Sequence, residues 1–274
     1  MGNNSVKSAQ GIYDYITEIM LSRNTPKKPD ILVVEGKEDE IFFKKFCKDT
    51  VYFVIANGKP NLVKALLEFP ESKPYKKYII GVCDRDYDEP LQNEQLFYYD
   101  FCNLEMMMCA NTNSQTELQK NVPENVDLCT ILEELLPRSC LRRLNTKLNL
   151  FLKLSKYGLK EYHFDYMNSP AAAIDNQCKI FSLSTRLNNA DYESLDKEMK
   201  KSYSVSDLLC ITQGHDFLAI YGFYVSRKIG RDINSDTVFE MLLDAFGEPE
   251  FRSTELYKKI SVYSKTYGLK FFTC

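Results

Sequence analysis

Apolar positions along the first hundred residues follow two alternating rhythms. Ile12, Tyr13, Ile16, Ile19 and Met20 fall at helical spacing within 6–22, and the breaker-rich stretch from Asn24 to Pro29 follows them. The pattern then predicts a strand near 30–35, a helix near 37–48 with Ile41, Phe42 and Phe46 inward, and a strand over 51–55. The turn Asn57-Gly58-Lys59-Pro60 opens a helix running to about 69; strands are expected over 77–83 and 95–99, and a further helix near 105. Strands separated by helices imply right-handed crossovers and a largely parallel α/β sheet flanked by helices on both faces. Past about residue 112 that alternation stops and leucine-rich segments of helical period take over. Helices are expected near 126–137, 139–157, 190–201, 215–229, 236–246 and 253–267, with short strands within 161–185. The chain therefore divides, as read, into an N-terminal helix and linker (1–29), an α/β domain (30–112) and a mostly helical C-terminal region (113–274).

Composition narrows the class. With 274 residues and 44% hydrophobic content the chain can bury one large core or two small ones. A formal net charge of −3 excludes a broadly basic coat for nucleic acid but leaves room for a local patch. Nine cysteines occur without a Cys-x-x-Cys pair or a secretory leader, which reads as reduced thiols in a cytoplasmic protein, not a disulfide framework or a zinc ribbon. No apolar run approaches the roughly 20 residues needed to span a bilayer, so no membrane association is expected. Val6 stands where a myristoylation signal wants Ser or Thr.

Candidate chemistry lies at the ends of two strand runs. Ile31 to Val34 empties into Glu35-Gly36-Lys37-Glu38-Asp39, and Tyr78 to Cys83 empties into Asp84-Arg85-Asp86. In an open α/β sheet ligands bind at the carboxyl ends of the strands, so acids about fifty residues apart converge on one crevice. Gly36 permits close approach of a phosphate or metal. Asp39 lies one helical turn beyond Glu35. Asp84 and Asp86, two apart in an extended segment, face one side and leave Arg85 on the other. Such hard oxygen ligands suit Mg2+ or Mn2+, one or two ions, and an ion relieves the mutual repulsion of four carboxylates.

Strand-Glu-Gly followed by strand-Asp-x-Asp, with one βαβ unit between, resembles the Toprim catalytic domain of topoisomerases, bacterial primases and several nucleases. Val33-Val34-Glu35-Gly36-Lys37-Glu38-Asp39, Ala56-Asn57-Gly58-Lys59, Asp84-Arg85-Asp86-Tyr87-Asp88 and Asp100-x-x-Asn103-Leu104-Glu105 are similar to the DUF4435 group within it. That group includes the Toprim effector of the PARIS anti-phage system. The resemblance spans roughly 30–108; beyond, it rests on Gln213-Gly214-His215-Asp216. It implies a Toprim-like fold and a metal-dependent endonuclease with Glu35, Asp84 and Asp86 catalytic. Glu35, Asp39, Asp84, Asp86 and Glu105 are the metal ligands it implies, Glu105 equally reading as an acid in the first turn of a helix. It further implies a toxic effector that cleaves tRNA under the control of a separate ABC-type ATPase, with a homodimer as one assembly. A DNA-cleaving nuclease and a non-catalytic Toprim nucleic-acid-binding or scaffold module stay open beside it.

Leu141 to Lys160 carries Arg142, Arg143, Lys147, Lys153, Lys156 and Lys160 without an acid, a ridge for phosphates or a solvated face. Lys37 and Arg85, beside the acids, and His215, after Gly214, are the other candidate substrate contacts; the alternative for His215 is a structural helix cap. Lys258, Lys259, Lys265 and Lys270 interleave with Tyr257, Tyr263 and Tyr267, either to stack bases or to lie half-buried. No G-x-x-x-x-G-K-[ST] run occurs, so the chain is not expected to hydrolyse ATP itself.

Overall fold

The computed structural model describes residues 9–22, 29–67, 69–70, 76–87, 90–148, 197 and 200–273. They form two compact units, residues 1–104 together with 247–274, and residues 105–246.

The first unit holds α1 (Ala9–Ser22), β1 (Ile31–Val34), α2 (Lys37–Phe46), β2 (Tyr52–Ile55), α3 (Lys59–Leu67), β3 (Ile79–Cys83) and β4 (Leu96–Tyr98). The strands pair in the order β2-β1-β3-β4, all parallel, with Val34 beside Ile55 and Val82, and Cys83 beside Tyr98. Every residue of β1 and β3 is buried, as continuous apolar strands covered on both faces must be. Ile31, Val33, Val54, Ile79, Cys83 and Leu96 share a core with Ile12, Ile16 and Met20 of α1 and Leu62, Ala65 and Leu66 of α3. Gly81 lets α3 come close, because a Cβ there would fall 2.4 Å from Leu66 Cδ1 and 2.9 Å from Leu62 Cδ2. Alternation sends Leu32, Val34, Ile80 and Val82 to the opposite face. The β1–β2 and β2–β3 crossovers run in opposite directions across the sheet, so right-handed connections set α2 and α3 on opposite sides.

The α2 side is closed by sequence-distant aromatics. Phe42, Phe43 and Phe46 of α2 meet Tyr99 and Phe251, with Phe46 and Phe251 stacked at 4.5 Å between centroids. The last described residues bind in the same place. The Lys48 and Thr273 N–H groups donate to the Phe271 and Phe46 carbonyls at 2.9 and 3.0 Å, and the Lys270 N–H to Asp30 Oδ2 at 2.8 Å.

The second unit is helical: α4 (Leu104–Cys109, whose first residue closes the first unit), α5 (Thr112–Gln119), α6 (Leu128–Leu148), α7 (Val205–Ile211), α8 (Gly214–Ile229) and α9 (Ser235–Ala245). The Tyr221 hydroxyl donates to the Leu118 carbonyl at 2.9 Å, and Arg138 Nε lies 2.7 Å from Asp216 Oδ1 in a shielded ion pair. The last helices, α10 (Glu248–Ser253) and α11 (Glu255–Tyr267), return to the sheet unit.

The α/β sheet with flanking helices and a helical region beyond it is as expected and consistent with a Toprim-like fold. Four details differ. The helices expected over 126–137 and 139–157 are, as far as Leu148, one helix passing Pro137. A proline interior to a helix costs about 3 kcal/mol, which burial of Ile131, Leu132, Leu135 and Cys140 along the same helix offsets. The pattern gives no sign of α5, a polar helix started by an Asn111 cap, or of α7, seven residues closed by reciprocal Ser204–Asp207 bonds. The helix expected over 253–267 is preceded by α10, and Thr254 separates them by ending one and capping the other. The region expected to be continuous from 113 onward is divided, its stretch from 247 belonging with the sheet. The expectations for 149–157 and 161–185, and all of 190–201 except 197, 200 and 201, lie outside the described residues. Among the described residues no helix is long and apolar enough to cross a membrane.

Candidate functional site

From β1 the chain runs one way to β2 and returns past β1 to β3 on its other side, so the order of the sheet reverses between β1 and β3. Loops diverge at such a point and leave a crevice at the carboxyl ends of the two strands. Glu35 follows β1 and Asp84 follows β3. The Asp84 N–H donates to Glu35 Oε1 at 2.6 Å, a direct tie between the two strand ends. Burial pushes the Glu35 carboxyl up to about 7, opposed by that N–H and reinforced by the nearby Asp39 and Asp86 charges. Beneath it, burial pushes the Cys83 thiol far up, so it offers no thiolate.

Asp39 is buried and fully engaged. Tyr99 Oη donates to its Oδ1 at 2.6 Å and the Gly36 N–H to its Oδ2 at 2.7 Å, closing the first turn of α2. Burial raises its carboxyl above the usual range, and these hydrogen bonds work against the rise. The Gly36 backbone is extended, φ −141°, and so places no demand for glycine.

Asp86 is not in an extended segment with Asp84. The strand ends at Cys83, and Asp86 takes a left-handed conformation, φ 52°, with its N–H donating to the Cys102 carbonyl at 2.8 Å. The turn replaces the two-residue alternation inferred from an extended chain. Asp86 Oδ2 accepts from Lys59 Nζ at 3.2 Å, and Lys59 also donates to the Arg85 carbonyl at 3.1 Å. Arg85 itself is exposed. Among the described residues, the non-glycine residues with positive φ are Asn57, Asp86 and Phe101. They sit in the loops after β2, β3 and β4, so backbone strain gathers at the edge where the acids are.

The repulsion among these acids is thus relieved one group at a time, by the Asp84 N–H on Glu35, by Tyr99 and Gly36 on Asp39, and by Lys59 on Asp86. As placed, no three His, Cys, Asp or Glu side chains among the described residues form a group able to hold a metal ion. Glu35, Asp84 and Asp86 are nonetheless hard oxygen donors beside the carboxyl ends of neighbouring strands, and the Asp39 and Asp86 charges add to the burial that pushes the Glu35 carboxyl up. Mg2+ is commonly held by one or two carboxylates, with water and substrate phosphates completing its shell. The donor set fits that mode and not a preformed protein cage.

The remaining expected residues are placed as follows. Lys37 pairs with Glu40 on the exposed side of α2. Glu105 belongs to the second unit, buried in the first turn of α4; a Cβ on Gly214 would fall 2.1 Å from Glu105 Oε2, so this glycine leaves space for the carboxylate at the start of α8. The next residue, His215, is exposed. Arg142, Arg143 and Lys147 lie on the backbone of α6, and their side chains are outside the described residues, as are Lys153, Lys156, Lys160 and Asp88. Of the tyrosines on α11, Tyr263 donates to the Lys77 carbonyl, Tyr267 to Glu94, and Tyr257 stacks on Phe272, so the Tyr263 and Tyr267 hydroxyls and a Tyr257 ring face are engaged within the unit. Asp100, part of the resemblance, accepts the Glu255 and Leu256 N–H groups at 2.8 and 3.0 Å and thereby caps α11.

Sequence reading missed Lys59 and Tyr99 as partners of the acids. A Gly-Lys pair opening a helix after a strand was the visible signal for Lys59; nothing local marks Tyr99. No protein-family model matches the chain, and no curated protein matches it.

Proposed function

We propose that the chain is a metal-dependent nuclease of the Toprim type, hydrolysing phosphodiester bonds at the crevice between β1 and β3. The observation that carries this is the tie from the Asp84 N–H to Glu35 Oε1, which brings two sequence-distant acids together where the strand order reverses. In this reading Asp84 and Asp86 hold the ion with Glu35 beside them, and Asp39 keeps α2 and Glu35 in position. A divalent ion bound there supplies charge stabilisation at phosphoryl oxygens and a more acidic water. Glu35, partly buried and held toward Asp84, receives or returns the proton at one end of the displacement. Arg85, exposed beside the acids, meets the flanking phosphate of the strand.

The resemblance of the acid motifs extends the proposal to a toxic effector of anti-phage defence that cleaves tRNA, in the cytoplasm, under the control of a separate ABC-type ATPase. The piecewise neutralisation of the acids favours a second reading, a non-catalytic Toprim module that binds nucleic acid. Sequencing of RNA ends after induced expression of the full chain separates the two. New discrete tRNA ends that vanish with Glu35→Gln and with Asp84→Asn/Asp86→Asn are expected. Unchanged cleavage by these variants, or intact RNA and DNA with the wild type both alone and beside a candidate ATPase, overturns the nuclease reading.

A further inference from the structure

The acidic crevice contains a cation of its own. The Lys59 side chain is 16% exposed and that of Asp86 34%. Besides its bonds to Asp86 and the Arg85 carbonyl, the Lys59 ammonium stands 5.9 Å from the centroid of the Tyr98 ring.

Three observations separate this pair from an ordinary surface ion pair. First, the position is locally unfavourable: a cation in the first turn opposes the helix dipole, and the first turn of α3 has no acid to balance it. Second, the backbone directs it inward. Asn57 and Gly58 have φ of 56° and 113°, and the Gly58 N–H donates to the Glu35 carbonyl at 3.1 Å, fastening the loop before α3 to the loop that carries Glu35. Third, the ammonium is not committed to the carboxylate alone, since it donates both to Asp86 Oδ2 and to the neutral Arg85 carbonyl. A shielded charge brought to an acid against local preference, and shared with a neutral acceptor, is suited to exchange.

Resting on the metal-dependent reading above, we propose that Lys59 is an internal counter-cation of Asp86: it neutralises that carboxylate in the metal-free protein, and a divalent ion enters by exchanging with the ammonium. Lys59 is then a positioning residue acting through Asp86. The exchange also accounts for the acids not standing together as a ligand group, since Asp86 is turned to Lys59. An ammonium and a divalent ion on one carboxylate repel each other strongly in a shielded crevice, so the side chain must swing away on its flexible stem when the ion arrives.

The test is calorimetric titration of Mn2+ into the full chain after stripping with EDTA. Removal of the competing charge is expected to tighten Mn2+ binding about tenfold in Lys59→Met, while Lys59→Arg stays within about twofold of wild type. Lys59→Gln repeats the measurement with a polar side chain should the Met form fold poorly. The gain should disappear when Lys59→Met is combined with Asp86→Asn. A merely structural lysine predicts the opposite sign, because its loss loosens the crevice. Wild-type Mn2+ binding with equal or weaker binding by both neutral variants overturns the counter-cation and leaves the nuclease reading standing. No Mn2+ binding by wild type or either neutral variant overturns both. Cleavage that persists in Asp84→Asn/Asp86→Asn overturns the nuclease reading on its own.

Discussion

Asp39 is 8% exposed, and its two oxygens accept from Tyr99 Oη and the Gly36 N–H. A buried carboxylate is tolerable only with such partners, because an unpaired one keeps its full desolvation cost. Tyr99 therefore holds α2 through Asp39 and, through α2, the turn that carries Glu35. Tyr99→Phe leaves Asp39 Oδ1 buried without this donor and should lower stability by about 1.5–3 kcal/mol in urea unfolding. Tyr99→Phe combined with Asp39→Asn should cost less than the sum of the single changes, since the two side chains share one bond. Strict additivity would show that the hydroxyl and the carboxylate act independently.

At the scale of elements, Glu35 and Asp84 meet because β1 and β3 are parallel neighbours and each acid directly follows the end of its strand. Their adjacency depends on close covering of β3 by α3, which Gly81 allows. Gly81→Ala drives a methyl into Leu62 and Leu66 and is expected to cost about 1–3 kcal/mol, read from the shift in thermal or urea midpoint. Trimming the obstruction with Leu66→Ala should recover part of that loss in the double variant, although Leu66→Ala alone opens a cavity. If Gly81→Ala is neutral, α3 does not press on β3 as described. Strain in the loops after β2, β3 and β4 fits the same scheme, in that a rigid sheet holds loop residues in unfavourable conformations at the edge that bears the acids.

For the molecule as a whole, the return of 247–274 to the sheet unit is decisive. Phe251, Leu256, Ile260 and Phe271 are each at most 1% exposed. Burying four such side chains contributes about 6–12 kcal/mol at ~1.5–3 kcal/mol each, comparable with the entire stability of a typical domain. A chain ending at Phe246 should therefore lose the cooperative thermal transition of the sheet unit, measured by near-UV circular dichroism. A truncated chain that melts as the full one does would show that the sheet unit closes without this stretch. Asp100, capping α11, joins the loop after β4 to that returning segment.

Continuous apolar runs such as Ile31 to Val34 and Ile79 to Cys83 were enough to predict buried parallel strands, because only a strand covered on both faces is apolar at every position. The acids at their ends were equally legible, since the carboxyl end of a strand is fixed by chain direction. Helix boundaries set by short polar caps were not: α5 and α7 depend on Asn111 and on the Ser204–Asp207 pair, signals only a few residues long. The boundary expected between 137 and 139 is absent because the cost of Pro137 within a helix is local, whereas the burial that offsets it is spread along the rest of that helix. Sequence by itself determined which residues are acidic, which segments are strands and where the acids fall along them. Tertiary structure alone decided that Asp39 is paired with Tyr99, that Asp86 turns to Lys59 and that the last helices close the sheet, because charge neutralisation and core closure depend on neighbours in space that periodicity along the chain does not encode.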